Sequence, residues 1–406
     1  MVFSSNVFLI YFLPIFLIFY FISPKKWRNV VLLLFSLVFY AYGAPDFILL
    51  LVGSCVANFY LVKLMHNSEN KLTKKLYCAA AIIISLGLLI YYKYANFFID
   101  NINILLEAFG AHTITFAKVL LPIGISFFTF QSITYVIDTY RGNNQPMERL
   151  HDYVLYIMMF PQLIAGPIVR YCDIEQEIRH RDYNWGEALQ GFYRFIIGLS
   201  KKVLISDVIG IQVDKMLTGD IALFDTATAW ITIVGYTMQL YFDFSGYSDM
   251  AIGLGKIFGF HFLENFNYPF ISKSATEFWR RWHMSLGSWF RDYLYIPLGG
   301  NRVSKGRHII NIFAVWLFTG FWHGASWNFI LWGVFFGVLL LIEKFWLLKA
   351  LNKSVVLSRF YILLAALLSF VVFQIPTLPE AFSYIGGMFG AGGIAFSSAE
   401  TLYHLK

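Results

Sequence analysis

Long apolar runs separated by short polar segments constrain this chain more than any other feature. A helix needs roughly 20 apolar residues to cross the hydrocarbon core of a bilayer. Runs approaching that length occur at Val7–Ile22, Val30–Tyr42, Phe47–Leu64, Tyr77–Tyr94, Val119–Ile137, Leu155–Ile168, Leu189–Ile205, Thr228–Phe244, Ile309–Trp322, Trp327–Leu348 and Tyr361–Phe373. The pattern predicts an all-α, polytopic integral membrane protein with about ten or eleven transmembrane helices.

Composition and charge exclude a soluble globule. The chain is 58% hydrophobic and 14% charged, whereas a soluble domain carries about 25% charged residues. Its net charge of +7 comes from basic residues between apolar runs. That position is typical of cytoplasmic loops, so we expect no nucleic-acid partner. Val7–Ile22 lacks a preceding basic region and is predicted to be a retained helix, not a signal peptide.

Loop charges predict the orientation of the first helices. Ser23–Arg28 carries three basic residues and Gly43–Asp46 carries none. The region Lys63–Lys75 is again basic, and the predicted loop Asn96–Thr115 contains acidic residues but no Lys or Arg. By the positive-inside rule, the first loop is cytoplasmic and the N-terminus external.

The segment between His261 and His308 is too polar to span the membrane but rich in aromatic and basic residues. This mixture is typical of short amphipathic helices that lie at an interface or re-enter the membrane. Its basic residues place it on the cytoplasmic side.

Two histidines are the main candidates for chemistry. His323 ends an apolar run of about 15 residues, which spans only about 22 Å as a helix, and a second apolar run follows at once. An ionisable group at membrane depth near a helix break is a candidate functional residue, and imidazole suits proton transfer near neutrality. His283 lies in an Arg–Arg–Trp–His cluster, which is also common in interfacial anchors.

Two acids lie near the end of the apolar run Thr228–Phe244. Asp243 and Asp249 do not share one helix face well. They are predicted either to accept hydrogen bonds from backbone donors in a broken helix or to pair with Arg280 or Arg281. Contact with substrate is the alternative hypothesis.

Motifs for metals and nucleotides were not found in the sequence. There is no HExxH, no Cys/His pair at metal-ligand spacing, no phosphate-binding glycine loop and no nucleophile elbow. We expect no metal. Three Cys without a CxxC indicate no disulfide framework.

Five stretches resemble the membrane-bound O-acyltransferase family, in particular its alginate O-acetyltransferase branch. They are Leu121–Gln131, Pro161–Arg170, Tyr241–Asp249, Glu277–Asn301 and Phe318–Trp327. The last two are the most specific, because each contains one of the two histidines with the expected flanks. The teichoic-acid D-alanylation branch shares much of this, but Tyr295–Arg302 resembles the acetyltransferase branch.

The resemblance implies a helical bundle with re-entrant or interfacial helices around a central tunnel. It implies one membrane domain over residues 1–406, with N-terminal helices at 1–140, a catalytic core at 141–345 and a C-terminal helix and tail at 346–406. Members of this branch continue with further helices after the position of Gly390, so we expect either a short member or a shortened C-terminus.

The resemblance also implies a reaction. A cytosolic thioester, acetyl-CoA, supplies an acetyl group that crosses a bacterial cell membrane to a polysaccharide or to a separate extracytoplasmic transferase. No bound cofactor is expected. His323 matches the family's key position and is assigned as the base, and His283 is assigned to orient donor or acceptor. The residues assigned to donor phosphates or to the tunnel wall are Arg280, Arg281, Arg291, Asp243 and Tyr241.

Three rival functions remain open at this point. A D-alanyl transferase would take its acyl group from a carrier protein. A transporter would show repeat symmetry with broken helices in matching halves, which the sequence lacks. A non-catalytic scaffold for an extracytoplasmic transferase would need neither histidine.

Overall fold

The computed structural model describes residues 1–217 and 225–397, and these residues are mostly helical. Within those ranges, the isolated β contact is one antiparallel bridge between Phe266 and Trp282. The all-α prediction is confirmed. The end of the predicted C-terminal tail, residues 398–406, lies outside the described residues.

The chain forms two compact units. The first comprises Met1–Leu199 and Tyr247–Glu264, and the second comprises Ser200–Gly246 and the chain from Asn265 onward. The first ten helices are α1 Leu13–Ile22, α2 Arg28–Gly43, α3 Ile48–Asn67, α4 Lys71–Leu89, α5 Ala95–Ala108, α6 Ile125–Arg141, α7 Leu150–Met158, α8 Phe160–Leu163, α9 Tyr171–Arg179 and α10 Trp185–Ser200.

The remaining helices follow from residue 207. They are α11 Asp207–Leu217, α12 Thr226–Phe258, α13 Ala275–Arg281, α14 Met284–Phe290, α15 Lys305–His323, α16 Trp327–Ile342, α17 Leu348–Leu351, α18 Val355–Gln374 and α19 Leu378–Met388. Within the described residues, five π-helical segments adjoin them, at Val7–Phe12, Ile90–Tyr94, Lys201–Ser206, Arg291–Tyr295 and Glu343–Leu347. The predicted division at residues 140 and 345 stays a prediction.

Four helical stretches of the described residues are long and apolar enough to cross a bilayer. They are Pro45–Asn67, Lys71–Ala108, Trp327–Leu351 and Val355–Gln374, and Val7–Ile22 is a shorter apolar helix. Membrane-protein character is therefore confirmed, whereas the count of ten or eleven spans is not.

Several predicted segments differ from the structure, and the run Val119–Ile137 is helical only from Ile125. The expected loop Asn96–Thr115 is helical as far as Ala108, within one helical stretch from Lys71. No Gly or Pro interrupts the sequence between Gly87 and Gly110, so the helix continues until Gly110 adopts a left-handed φ of 67°.

The run Leu155–Ile168 is also not one helix. α7 ends at Met158, Met159 has an extended ψ of 113°, and the four-residue α8 follows. Pro161 cannot donate the hydrogen bond that would continue α7.

The first unit is held together by aromatic packing and by a close helix contact. Phe160 contacts Phe12 and Phe16 at ring separations of 5.4 and 5.3 Å. A Cβ on Gly191 would lie 2.6 Å from the carbonyl oxygen of Gly253, so α10 approaches the end of α12 at its backbone. Small residues permit such approaches between apolar helices.

In the second unit, α15 and α16 pack backbone to backbone. A Cβ on Gly320 would lie 2.2 Å from the carbonyl oxygen of Phe329, and one on Gly333 would lie 2.3 Å from that of Trp316. The hairpin turns between His323 and Trp327. Glycine at these two positions therefore fixes where the end of α15 lies.

Candidate active site

The bend between α13 and α14 positions His283. This residue has φ 47° and ψ 52°, a left-handed conformation that is strained for a residue with a side chain. Backbone hydrogen bonds hold the bend against the preceding segment. Met284 N donates to Asn265 O at 2.9 Å, and Asn267 N donates to Arg281 O at 2.9 Å. Strain maintained in this way is typical of functional sites.

Asn265 determines the tautomer of His283. The Oδ1 of Asn265 accepts from Ser285 N at 3.3 Å and from Ser285 Oγ at 2.9 Å. Because a backbone N–H always donates, this atom is the amide oxygen. It lies 3.1 Å from Nδ1 of His283, so Nδ1 carries the proton and donates. The lone pair of the neutral ring is therefore on Nε2.

The surroundings of His283 are apolar. The residue is 2% exposed, and its ring meets Phe244 edge-on at 4.6 Å. Its Nε2 is buried and has no hydrogen-bond partner among the residues that the structure describes. A buried acceptor without a partner is costly, so this atom is suited to receive a hydrogen bond or a proton from a ligand.

His323 is the last residue of α15, followed by the extended Gly324. This confirms the predicted helix break. Its ring packs on Trp332 at 5.0 Å and on Phe373 at 5.4 Å. Trp322 contacts both imidazoles, at 5.0 Å from His323 and 5.8 Å from His283. The structure thus brings the two predicted histidines to one indole ring.

A cavity of about 500 Å³ lies beside α13, α14 and α15, and His283, Arg280, Arg291 and Trp316 are among the residues that line it. Cavities of several hundred Å³ are typical of sites for small molecules and cofactors. Since an imidazole with a defined lone pair and two arginines line one cavity, the cavity suits an anionic ligand with a reactive polar group.

A second cavity of about 460 Å³ shares Thr276, Arg280 and Trp316 with the first. It adds His308 and Lys344. The Nε2 of His308 lies 3.1 Å from the Lys344 ammonium and 3.0 Å from the Tyr295 hydroxyl. The two cavities therefore share a wall that includes Arg280.

The structure distinguishes the three predicted arginines. Arg281 pairs with Glu277 at 2.9 Å, and Arg291 pairs with Asp292 at 2.7 Å. Among the described residues, Arg280 has no hydrogen-bond or ion-pair partner. Its guanidinium is thus the one of the three whose charge is not already compensated within the described chain.

The two acids do not pair with Arg280 or Arg281, so that alternative is wrong. The helix is also not broken there, because α12 continues through both positions. Asp243 pairs with Lys202 at 2.5 Å, and Asp249 pairs with Arg194 at 2.9 Å. A cation on a neighbouring helix was nearer in each case. Tyr241 packs against the Phe270 ring at 5.3 Å. Neither Tyr241 nor Asp243 lines the two cavities above.

Sequence reasoning missed Glu343, which supports the site. This carboxylate is 1% exposed and accepts from Ala275 N, from Thr276 N at 3.0 Å and from Thr276 Oγ1 at 2.9 Å. It satisfies backbone donors at the start of α13, where a negative charge is favoured. A lone carboxylate inside the apolar run Trp327–Leu348 was the signal for it.

Asn265 was also missed, and no local pattern marks it, because it contacts His283 across 18 residues of sequence that include α13. Within residues 1–217 and 225–397, no group of three or more His, Cys, Asp or Glu side chains is arranged to hold a metal ion.

The family model and the similar proteins indicate the same family for this chain. The sequence model of the membrane-bound O-acyltransferase family matches residues 147–379. The chain is 42% identical to the probable alginate O-acetylase of Azotobacter vinelandii, over 97% of this chain and 79% of that one. It is 35% identical to the peptidoglycan O-acetyltransferase of Helicobacter pylori, over 97% and 81% of the two chains.

A more distant likeness is to the teichoic acid D-alanyltransferase of Streptococcus thermophilus, with 32% identity over 57% of this chain and 59% of that one. Both histidines and both cavities lie in or near the matched region. The resemblance inferred from the sequence is confirmed: this chain belongs to the membrane-bound O-acyltransferase family and is an acyltransferase.

Proposed function

We propose that this protein is an O-acetyltransferase that takes an acetyl group from a thioester donor, acetyl-CoA, and delivers it to a hydroxyl group. One arrangement of side chains in the first cavity supports this proposal. His283, with its lone pair on Nε2, and the uncompensated Arg280 line one cavity of about 500 Å³. The acyltransferases with full-length similarity to this chain support the same chemistry.

The reaction needs one proton acceptor and an acyl carbonyl held within reach of the hydroxyl. The hydroxyl oxygen bonds to the thioester carbonyl carbon as a base removes its proton, and the carbon–sulfur bond then breaks. The thiolate leaves and recovers the proton. Base catalysis of this kind contributes about 10²–10⁴-fold. We assign the base to His323, at the break between α15 and α16.

We assign His283 to positioning of the donor. With Nδ1–H engaged by Asn265, the ring offers an acceptor at Nε2. The amide N–H groups of an acyl-CoA arm are donors that satisfy it. Arg280, with Lys344 in the adjoining cavity, is assigned to the donor phosphates, since guanidinium groups bind phosphate oxygens in a planar, two-point manner.

The acceptor side is assigned by similarity to the relatives. They are named for O-acetylation of alginate and of peptidoglycan. We propose a surface polysaccharide, or a partner transferase that modifies one, as the acceptor on the outer side of the bacterial cell membrane. The basic loop Ser23–Arg28 then faces the cytoplasm. Labelling of a cysteine introduced at Ser23 from the outside of intact cells would contradict this orientation.

D-alanyl transfer from a carrier protein is the second candidate, favoured by the partial similarity to the teichoic acid enzyme. The two are separated by offering lipid-reconstituted protein either labelled acetyl-CoA or a D-alanyl carrier protein. We expect hydrolysis or transfer with acetyl-CoA and no reaction with the carrier protein. Turnover with the carrier and none with acetyl-CoA would replace the proposed donor.

A further inference from the structure

A polar cavity of about 320 Å³ in the first unit has no role in the reaction above. It lies at the turn between α1 and α2, beside the C-terminal end of α9 and the start of α7. Six basic side chains line it: Lys25, Lys26, Arg28, Arg149, Arg179 and Arg181. Asp152 is the carboxylate among its lining residues, so the wall is strongly cationic.

Arg28 is held in place by aromatic rings. Its guanidinium carbon lies 5.4 Å from the centre of the Tyr20 ring, 5.7 Å from Phe21 and 5.6 Å from Tyr183. Its Nε is buried and has no hydrogen-bond partner among the described residues. Stacking orients a guanidinium without using its N–H donors, so an anion can bind those donors at little cost in side-chain entropy.

A polar network of lining residues forms another part of the cavity. Asn29 donates to Asp152 at 3.0 Å and accepts from Arg181 at 2.6 Å. Arg181 also donates to the carbonyl oxygen of Glu177 at 2.9 Å and stacks on Phe260 at 4.2 Å. These contacts leave the carboxylate of Asp152 occupied.

Three further cations remain uncompensated. Lys25, Lys26 and Arg149 are exposed and form no ion pair with any residue of the described ranges. Together with Arg28 they leave an excess of positive charge along a cavity that is partly open to the surroundings. Such an excess of positive charge attracts anions to the cavity.

The apolar residues around the cavity indicate its depth. Ile22, at the end of α1, is 79% exposed, and Trp27 and Trp185 are 53% and 71% exposed. Exposed Trp residues beside an apolar helix end are typical of the membrane–water interface. Phosphate groups of lipids lie at this level, and basic side chains bind anionic headgroups there.

We propose that this cavity binds a phosphate group, carried either by an anionic phospholipid of the surrounding membrane or by a soluble anion. Arg28 and Arg149 are its main ligands. The site is separate from the acetyl-transfer residues, so the test uses binding as its readout and does not depend on the proposed function.

The experiment compares the full chain with Arg28→Gln/Arg149→Gln. Each protein is purified in detergent and offered phosphatidylglycerol, phosphatidylcholine or inorganic phosphate. Retained lipid is counted by native mass spectrometry, and phosphate binding is measured by calorimetry. We expect about 30-fold weaker binding in the variant, since each cation near a membrane surface contributes about fivefold.

The matched control is Lys71→Gln/Lys75→Gln, which removes the same charge from exposed positions of α4 outside the cavity. Loss of phosphatidylglycerol in the cavity variant alone identifies a lipid site, and loss of inorganic phosphate alone identifies a soluble anion. Equal binding in all proteins, or an equal loss in the control, overturns the proposal. If the arginine variant does not fold, Lys25→Gln/Lys26→Gln is judged by the same outcomes.

Discussion

The Nδ1 of His283 and the Oδ1 of Asn265 lie 3.1 Å apart, and this contact determines which imidazole nitrogen is open to a ligand. The same oxygen accepts from Ser285 N, so the amide orientation follows from a donor whose identity is certain. Residues that fix a histidine tautomer influence activity without touching substrate.

Replacement of Asn265 tests this relationship. Asn265→Leu removes the acceptor, so the ring can turn or change tautomer, and we expect acetyl transfer to fall by about 10–100-fold, as for partners that orient ligating histidines. Asn265→Asp keeps the acceptor and should retain most of the activity. The measurement is kcat and KM over a range of pH with matched amounts of folded protein. Equal losses in both variants would indicate a packing role only.

Arg280→Gln is expected to weaken donor binding. Its side chain lines both cavities, and its charge has no partner among the described residues. Loss of one phosphate contact should raise the KM for acetyl-CoA by about tenfold with kcat nearly unchanged, since a charged hydrogen bond contributes about 1.5–3 kcal/mol.

The control for this variant is Arg302→Gln, an exposed arginine on the same segment that lines neither cavity. It should leave the donor KM at the wild-type value. An unchanged KM in Arg280→Gln would remove the phosphate assignment.

Glu343→Gln is expected to destabilise the protein. The carboxylate is buried and accepts from Thr276 N at 3.0 Å at the start of α13. An amide in its place turns a donor toward a backbone donor, which costs about 1–3 kcal/mol. Thermal unfolding in lipid nanodiscs measures the loss. Glu69→Gln, at an exposed position, is the control. A variant as stable as this control would show that the cap contributes nothing.

His261 is expected to make stability depend on pH. Its hydrogen bond to Glu177, with a second to Glu187, raises the pKa of His261 above its ordinary value. A pKa raised on folding stabilises the protein below the unfolded pKa of about 6.5. That contribution is lost as the pH rises through the higher folded pKa.

Because His261 is 53% exposed in its side chain, the effect should be small, about 0.2–1 kcal/mol. Unfolding of His261→Gln should differ from wild type in mildly acidic buffer, and the difference should vanish in alkaline buffer. His112→Gln, an exposed histidine, should match wild type throughout. A difference that grows with pH would reverse the sign of the argument.

The sequence allowed the helical class, the family and the helix break at His323 to be predicted. The lengths of the apolar runs and the motifs around His283 and His323 are local signals. They can be recognised in the sequence without knowledge of tertiary contacts. The break after His323 followed from two apolar runs with Gly324 between them.

Long-range partners were not predictable. Asn265 reaches His283 from an irregular segment, and Glu343 reaches Thr276 across 67 residues. The pairing of Asp243 with Lys202 was missed because helix packing, not spacing in the sequence, decides which cation lies nearest. The prediction of a loop at Asn96–Thr115 was wrong as far as Ala108, because polar residues without Gly or Pro before Gly110 remain compatible with a helix.

The central claim is tested most directly by acetyl transfer from radiolabelled acetyl-CoA in lipid-reconstituted protein, comparing wild type with His323→Ala and His283→Ala. With His323 as base, His323→Ala should lower kcat by about 10²–10⁴-fold. His283→Ala should mainly raise the KM for acetyl-CoA and leave measurable turnover. Full turnover in His323→Ala, with a kcat collapse in His283→Ala, would contradict the assignment and make His283 the base.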